Sequence, residues 1–385
     1  MRRMKGGVHR DVWILSLGFG FLFFGTGAAQ QYVSLLLTSR GLAPYAGTNV
    51  LLILYGFYLS GCLITHHAVR TWGERICLLG AASMYAVFIL SIAHAPLWAC
   101  YMAAAGCGVA AAILWTAQLL LLNRLKEGSS AERSAGVFHT LYSLGNGVGT
   151  LTAGIVTSRY GLSIAFWAMV IAAVCAVGIF SFLSSVDGNR AEQVQKQGSE
   201  SAAFPWRRFV AFAAFSLSAR MVYGLVIARL PMDIGKQLGA GAVGVVTSLV
   251  FLIPIFFPSV AAELTLRWGR FASAILGCAL SVGGVVVLYW ASDYPRFIAG
   301  TICAALGQSI LYPLTTVFPQ LFPAAHRRQI AVWLAFANAC GIVFTLILAR
   351  SVSSSSIYLA VAGIMSLLSG SCLRHLWSQP EQPRT

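Results

Sequence analysis

The chain has 385 residues, of which 58% are hydrophobic and only 10% are charged, and its formal net charge is +15. Soluble domains carry about 25% charged residues, so this composition excludes an ordinary water-soluble domain and indicates segments that lie in hydrocarbon. The basic residues recur between apolar segments instead of lining one helix face. We therefore do not expect the chain to bind nucleic acid.

The first apolar segment follows a basic start, MRRMKGGVHR, and has the outline of a secretory signal peptide. Its apolar run is longer than that of a signal peptide, Gln30 and Gln31 follow, and further apolar segments come after it. We therefore expect it to be kept as the first membrane helix.

Apolar segments long enough to cross about 30 Å of hydrocarbon as helices recur along the chain. Dividing the sequence at its charged residues predicts twelve spans. Their limits are residues 12–36, 46–69, 76–95, 97–122, 135–157, 162–185, 209–231, 241–264, 271–291, 296–320, 329–349 and 356–375.

Lysine and arginine residues predict the orientation of these spans, because cytoplasmic loops are enriched in them. With a cytoplasmic N-terminus, 19 of the 26 lysines and arginines fall in cytoplasmic segments, six fall on the opposite side, and Arg220 lies within a span. This distribution predicts a multi-pass protein of the cytoplasmic (inner) membrane with both termini in the cytoplasm.

Residues 187–206, DGNRAEQVQKQGSESAAFPW, differ in composition from the rest of the chain. They are polar and rich in Gln, Ser and Gly, which is typical of a flexible linker. We therefore expect an N-terminal six-helix bundle at 1–186, a cytoplasmic linker at 187–206 and a C-terminal six-helix bundle at 207–385.

The two halves repeat short patterns at nearly one spacing. The pair Trp72–Gly73 follows span two, and Trp268–Gly269 follows span eight, 196 residues later. Ile113–Trp115 in span four and Ile310–Tyr312 in span ten are 197 residues apart. Two matches on equivalent elements indicate a duplicated unit, which is common in secondary transporters.

Twelve spans, a central linker and two similar halves resemble the major facilitator superfamily over the whole chain. That resemblance implies an all-α membrane protein with two pseudo-symmetric six-helix bundles. The superfamily's turn motif, roughly Gly-x-x-x-Asp-Arg-x-Gly-Arg-Arg/Lys, is partly kept after spans two and eight, although Arg70 replaces the usual acid. The corresponding gating or turn residues are Arg70, Gly73, Arg75, Glu263, Arg267, Gly269 and Arg270.

Span four is similar to a narrower group, the Unc-ninety-three-like branch of this superfamily. That branch carries a Gly-x-Gly-Ala-Ala-x-x-Trp-Thr-x-Gln segment, and GVAAAILWTAQ matches it except that Ala110 replaces the second glycine. Span five, LGNGVGTLTAG, keeps the glycines of the superfamily's antiporter motif but lacks its proline. Antiport therefore does not follow from that motif.

Polar and aromatic side chains inside the spans are the candidate substrate-binding residues, because a polar group facing lipid is unfavourable. Many are three or four residues apart and so share a helix face. Hydrogen bonds between helices are the alternative explanation. The candidates are Gln30, Tyr55, Tyr58, Trp115, Gln118, Tyr142, Asn146, Arg220, Tyr223, Gln308, Tyr312 and Asn338.

Arg220 is the most informative candidate, since a charge near the midplane costs at least ~2.5 kcal/mol. Of the eleven acidic residues, Glu263 alone falls within a predicted span, so a substrate anion is one candidate partner of Arg220. The alternative is an arginine that backbone carbonyls and tyrosines hold, or one whose side chain reaches to the membrane interface. Glu263 and His139 are candidates for proton coupling. The alternative for Glu263 is an ion pair with Arg267 or Arg270, and the alternative for His139 is a structural hydrogen bond.

The expected function is secondary transport of a small organic anion by alternating access, with export favoured because the membrane potential drives negative charge outward. A polyspecific exporter of amphipathic compounds is the alternative, supported by the aromatic residues Trp115, Tyr142 and Trp333. A second alternative is a non-transporting regulator or trafficking partner, which short loops and a short tail make less expected.

No enzyme motif, cofactor site or metal site is predicted. The nine cysteines contain no CxxC pair, so we expect neither disulfides nor zinc. The expected partners are a small-molecule substrate and the lipid bilayer, and the chain is expected to act as a monomer.

Overall fold

The computed structural model describes residues 2–43, 45–124, 131–184, 204–318, 322, 326–352 and 355–377. The secondary structure of these residues is helical, without strands. The helices are α1 (Arg2–Ser39), α2 (Ala46–His94), α3 (Leu97–Arg124), α4 (Ala131–Tyr160), α5 (Leu162–Phe180), α6 (Trp206–Ala228), α7 (Leu230–Leu238), α8 (Ala240–Phe256), α9 (Pro258–Tyr289), α10 (Tyr294–Val317), α11 (Arg327–Ser351) and α12 (Ser356–Trp377).

These helices do not match the predicted spans one to one. Spans two and three are continuous in α2, which bends at Gly73, so the expected loop between them is reduced to one residue. Span seven is divided into α6 and α7, because Pro231 has no backbone N–H and clashes with the preceding turn. Pro258 likewise separates α8 from α9. Span eight is divided at this proline, and its second part continues with span nine in α9.

Eight helical segments are long and apolar enough to cross a membrane within the described residues. The first is Arg10–Ser39, and the longest is Trp206–Leu238 with 33 residues. Two shorter apolar helices, Ala240–Phe256 and Ser356–Gly370, accompany them. The chain is therefore a multi-pass membrane protein, while twelve crossings stay a prediction.

Two compact units make up the chain. The first unit contains Met1–Glu192 and Pro231–Ile255, and the second contains Gln193–Leu230 and Phe256–Thr385. The sequence placed residues 231–255 with the second half, whereas the packing of α8 places them with the first. Most of the expected linker lies outside the described residues, so the division at 187–206 stays a prediction.

Glycines allow α1 and α4 to approach closely in the first unit. A Cβ added to Gly145 would overlap the carbonyl oxygen of Gly20, and one added to Gly149 would overlap the backbone of Phe24. Small residues promote such contacts in membranes, where packing replaces the hydrophobic effect between helices. The glycines of spans one and five therefore let α1 and α4 pack backbone against backbone.

Helix α8 packs on α4 in the same way. Gly244 faces Gly154 so closely that a Cβ added to either glycine would overlap the Cα atom of the other. Tyr32 of α1 adds a hydrogen bond from its hydroxyl to the carbonyl oxygen of Ala240, at 3.0 Å. These contacts explain why α8 belongs to the first unit.

The sequence repeat has a counterpart in the backbone. Gly73 has φ 76° and ψ 160°, and Gly269 has φ 82° and ψ 163°. Such a positive φ favours glycine, because a Cβ makes this conformation unfavourable. The preceding Trp72 and Trp268 are each 58% exposed. The two Trp-Gly pairs therefore form the same local bend.

Aromatic side chains from α6 pack in the core of the second unit. The ring of Phe212 lies 4.4 Å from that of Phe318 and 5.6 Å from that of Phe322. Phe215 also contacts Phe318, at 5.5 Å. These rings fix the position of α6, the helix that carries Arg220.

Replacing Gly145 with alanine is expected to destabilise the protein, since the new methyl group would push α4 away from Gly20. Overpacking of this kind costs about 1–3 kcal/mol. Thermal unfolding in detergent micelles should show a lower Tm for Gly145→Ala than for the unchanged protein.

Gly178→Ala is the matched control, because Gly178 is also helical but a Cβ there would meet nothing within 4 Å. Its Tm should not fall. Equal Tm values for the two variants would contradict the proposed close packing of α1 and α4.

Candidate functional site

Five aromatic side chains from α1, α3 and α4 form a cluster in the first unit, called here the aromatic cluster. Tyr142 lies 4.7 Å from Phe23 and 5.4 Å from Trp115, and Phe19 lies 4.9 Å from Phe138, measured between ring centroids. The three phenylalanines are buried, whereas Trp115 and Tyr142 are partly exposed. Trp115 and Tyr142 therefore form the accessible surface of the cluster.

The sequence identified Trp115 and Tyr142 but missed the three phenylalanines. Phe19 and Phe23 are one helical turn apart on α1, as are Phe138 and Tyr142 on α4. Residues at this spacing share a helix face, and this is the feature of the sequence that indicates an aromatic cluster. It is weak, because phenylalanine is common on any apolar helix face.

Two other candidates, Gln30 and Tyr55, bind each other. The Tyr55 hydroxyl donates a hydrogen bond of 3.0 Å to Oε1 of Gln30, and both side chains are buried. The ring of Tyr58 lies 6.5 Å from that of Tyr55. This pair links α1 to α2, which fits the alternative explanation of a hydrogen bond between membrane helices.

Gln118 and Asn146 are also buried, with 6% and 0% of their surface exposed. The carboxamide of Asn146 lies in the space left by Gly27, where a Cβ would overlap its Oδ1 atom. Both amide atoms of Asn146 lack a hydrogen-bond partner among the described residues, and so do those of Gln31, which the sequence did not single out as a site residue. A buried polar atom without a partner costs about 1–3 kcal/mol.

Arg220 lies near the middle of the longest apolar segment, as the fifteenth of its 33 residues. Its guanidinium carbon is 4.1 Å from the centre of the Tyr312 ring, so α6 and α10 meet here. Helix α11 joins them, because a Cβ on Gly341 would lie 3.3 Å from the Cβ of Arg220. Three helices therefore converge at this positive charge.

The other candidates of the second unit are also polar. Nε2 of Gln308 donates to Oγ of Ser281 over 3.2 Å. Oδ1 of Asn338, one helical turn before Gly341, is buried and accepts no hydrogen bond from the described residues. Tyr223 is partly buried and lies one turn after Arg220 on α6. A guanidinium, amides and phenols together can bind an anion and hydrogen-bond its polar groups.

The turn residues make contacts at helix ends. Glu263 accepts a hydrogen bond of 2.6 Å from Nε of Arg267, and both side chains are more than half exposed. Arg75 donates from Nη2 to the carbonyl oxygen of Ser181 at 2.6 Å. Arg270 is exposed, while the side chain of Arg70 lies outside the described residues.

The two proton-coupling candidates differ in setting. Glu263 is engaged by Arg267 at the surface. His139 is partly buried, and its ring lies 5.4 Å from that of Phe138 beside the aromatic cluster. Among the described residues, no three His, Cys, Asp or Glu side chains come together as a metal-binding group.

Solved transporters have the same fold as this chain. The peptide transporter POT matches with a TM-score of 0.76 and 12% identity, over 95% of this chain and 94% of that chain. The nucleoside transporter NupG matches with a TM-score of 0.74 and 12% identity, over 96% and 100%. The chain therefore has the major facilitator fold.

Sequence relatives cover a shorter region. UNC93-like protein MFSD11 of Xenopus laevis is 24% identical over 133 residues, which is 34% of this chain and 30% of that protein. The protein of the same name from Xenopus tropicalis has the same identity and coverage. The match thus spans less than a third of these relatives.

A family comparison extends further along the chain. The family described as "Ion channel regulatory protein UNC-93" matches residues 38–232, just over half of the chain. This range includes GVAAAILWTAQ, the segment of span four that is similar to the Unc-ninety-three-like branch. The chain therefore belongs to the UNC-93 family, as that segment predicted.

Proposed function

We propose that the chain is a secondary transporter that moves a small organic anion by alternating access, preferentially outward. It would act as a monomer in the cytoplasmic membrane, with both termini in the cytoplasm. The observation that carries this proposal is the position of Arg220, near the middle of a 33-residue apolar segment and 4.1 Å from the Tyr312 ring.

The contact with Tyr312 offsets part of the cost of placing a charge within a membrane helix. An arginine at the centre of a membrane helix costs about 2.5–3.5 kcal/mol on insertion scales. A cation–π contact returns about 0.5–2 kcal/mol, and it does so without neutralising the guanidinium. The guanidinium is charged at any pH of interest, and our proposal is that this charge attracts an anion.

The fold supports carriage of a solute, because its solved neighbours include a peptide transporter and a nucleoside transporter. The membrane potential supports the outward direction of transport, because it favours outward movement of one negative charge by about 2.3 kcal/mol per 100 mV. With the acidic residues concentrated outside the predicted spans, this potential is the energy source we propose.

The aromatic cluster supports a second candidate, a polyspecific exporter of amphipathic compounds. Trp115 and Tyr142 present partly exposed rings, and aromatic surfaces bind varied apolar groups without strict geometry. Trp333 of α11 is 41% exposed. Such an exporter would accept compounds without a negative charge.

The family description supports a candidate of another class, a membrane regulator of ion channels that carries nothing itself. The two classes differ in what the isolated chain does. A transporter moves its solute when it is the only protein in a vesicle, whereas a regulator needs a partner.

Replacing Arg220 with glutamine should weaken binding of organic anions at least about 10-fold, because a hydrogen bond to a charged group contributes about 1.5–3 kcal/mol. A panel of anionic and cationic metabolites would be screened for thermal stabilisation of the purified protein. Arg220→Lys should keep part of the anion response.

Arg296→Gln is the control for this variant, since Arg296 is an exposed residue paired with Asp293 at the start of α10. Its anion response should equal that of the unchanged protein. An Arg220→Gln protein that still binds anions as well as before would exclude Arg220 as the anion site.

Anion flux through the chain should depend on the sign of the membrane potential. In vesicles that contain only this protein, an anion found in the screen should leave the negative compartment faster when the potential is imposed than when it is abolished. Flux that ignores the sign would exclude potential-driven export. Absence of flux with retained binding would favour the regulator.

A further inference from the structure

A groove of about 250 Å³ lies between α2 and α3 in the first unit. Ile64 of α2 and Val109 and Ile113 of α3 form its apolar wall. A dry cavity of about 150 Å³ already holds benzene. The groove is therefore large enough for several carbon atoms of an aliphatic chain.

The groove changes from apolar to polar along α2. Ile64, His67 and Trp72 all line it, and at 1.5 Å per residue the first and last are about 12 Å apart. The imidazole and the indole can each donate a hydrogen bond from a ring N–H. Since tryptophan is enriched where a membrane meets water, Trp72 marks the end nearer to the headgroups.

This surface of α2 is exposed and apolar next to the groove. Leu63 is 74% exposed, Ile64 is 53% exposed and Trp72 is 58% exposed. In a membrane protein, exposed aliphatic side chains such as Leu63 and Ile64 contact lipid tails. An occupant of the groove that extends along Ile64 would thus be continuous with the surrounding hydrocarbon.

The sequence around the polar end is basic. Residues 66–75, HHAVRTWGER, contain two histidines and two arginines but a single acidic residue. Basic residues beside a span are attracted to the anionic lipids of the cytoplasmic leaflet. The charge of this segment therefore favours an amphiphile with a negative headgroup over a neutral one.

We propose that this groove binds an anionic phospholipid. One acyl chain lies against Ile64, Val109 and Ile113, and the phosphate accepts hydrogen bonds from His67 and Trp72. The site is independent of the proposed transport activity, so it can be tested on purified protein whether or not a solute is carried.

The first test fills the groove. Ile64→Trp should weaken binding of phosphatidylglycerol on the order of 10-fold, because the indole would occupy the space of the acyl chain. Leu63→Trp is the matched control, since Leu63 is the adjacent and more exposed residue of the same helix. Binding is measured by counting bound lipids in native mass spectra and by the rise in Tm during lipid titration.

The second test removes the donors. A double variant, His67→Leu with Trp72→Phe, should bind phosphatidylglycerol on the order of 10-fold more weakly while its binding of phosphatidylcholine with the same chains stays unchanged. Trp268→Phe is the control, because Trp268 has the same 58% exposure in the repeated Trp-Gly bend.

Three results would overturn the proposal. One is equal binding of the two lipids by the unchanged protein. Another is unchanged phosphatidylglycerol binding by a correctly folded Ile64→Trp protein or by the double variant. The third is equal stabilisation by inorganic phosphate alone, which would indicate a site for free anions instead of a lipid.

Discussion

The structure depends on one constraint, which is that polar groups inside hydrocarbon must be satisfied by the protein itself. Helices satisfy their own backbone except at their ends, and here arginines bind those ends. Arg40 donates to the carbonyl oxygens of Ile92 and Ala95 at 2.8 and 2.7 Å, and Arg75 donates to that of Ser181. These arginines therefore bind carbonyl groups at the ends of neighbouring helices.

The same solvent changes what holds helices together. Lipid tails are as apolar as leucine, so helices associate through close packing and hydrogen bonds. Gly145 against Gly20 and Gly154 against Gly244 provide the first, and the Tyr32 hydroxyl on the Ala240 carbonyl provides the second. Because the glycines bring α1, α4 and α8 together, they also position the side chains between these helices.

The two units offer different chemistry for recognition. The candidates of the first unit are neutral amides and aromatic rings, of which Trp115 and Tyr142 are accessible. The second unit adds a positive charge, because Arg220 contacts the ring of Tyr312. A small organic anion, the cargo that we propose, would match the charge of Arg220.

The sequence by itself determined the helical membrane architecture, the family and the repeated Trp-Gly bend, because hydrophobicity, short motifs and the glycine requirement of a positive φ are local properties. It also selected Arg220, Tyr312, Gln30 and Tyr55 as polar groups in apolar surroundings. Only the tertiary structure decided that Arg220 lies on Tyr312, that Gln30 pairs with Tyr55 and that α8 belongs to the first unit. Those pairings depend on which helix faces meet, and helix contacts are set by glycines and side chains distant in the chain, which a single sequence does not bring together.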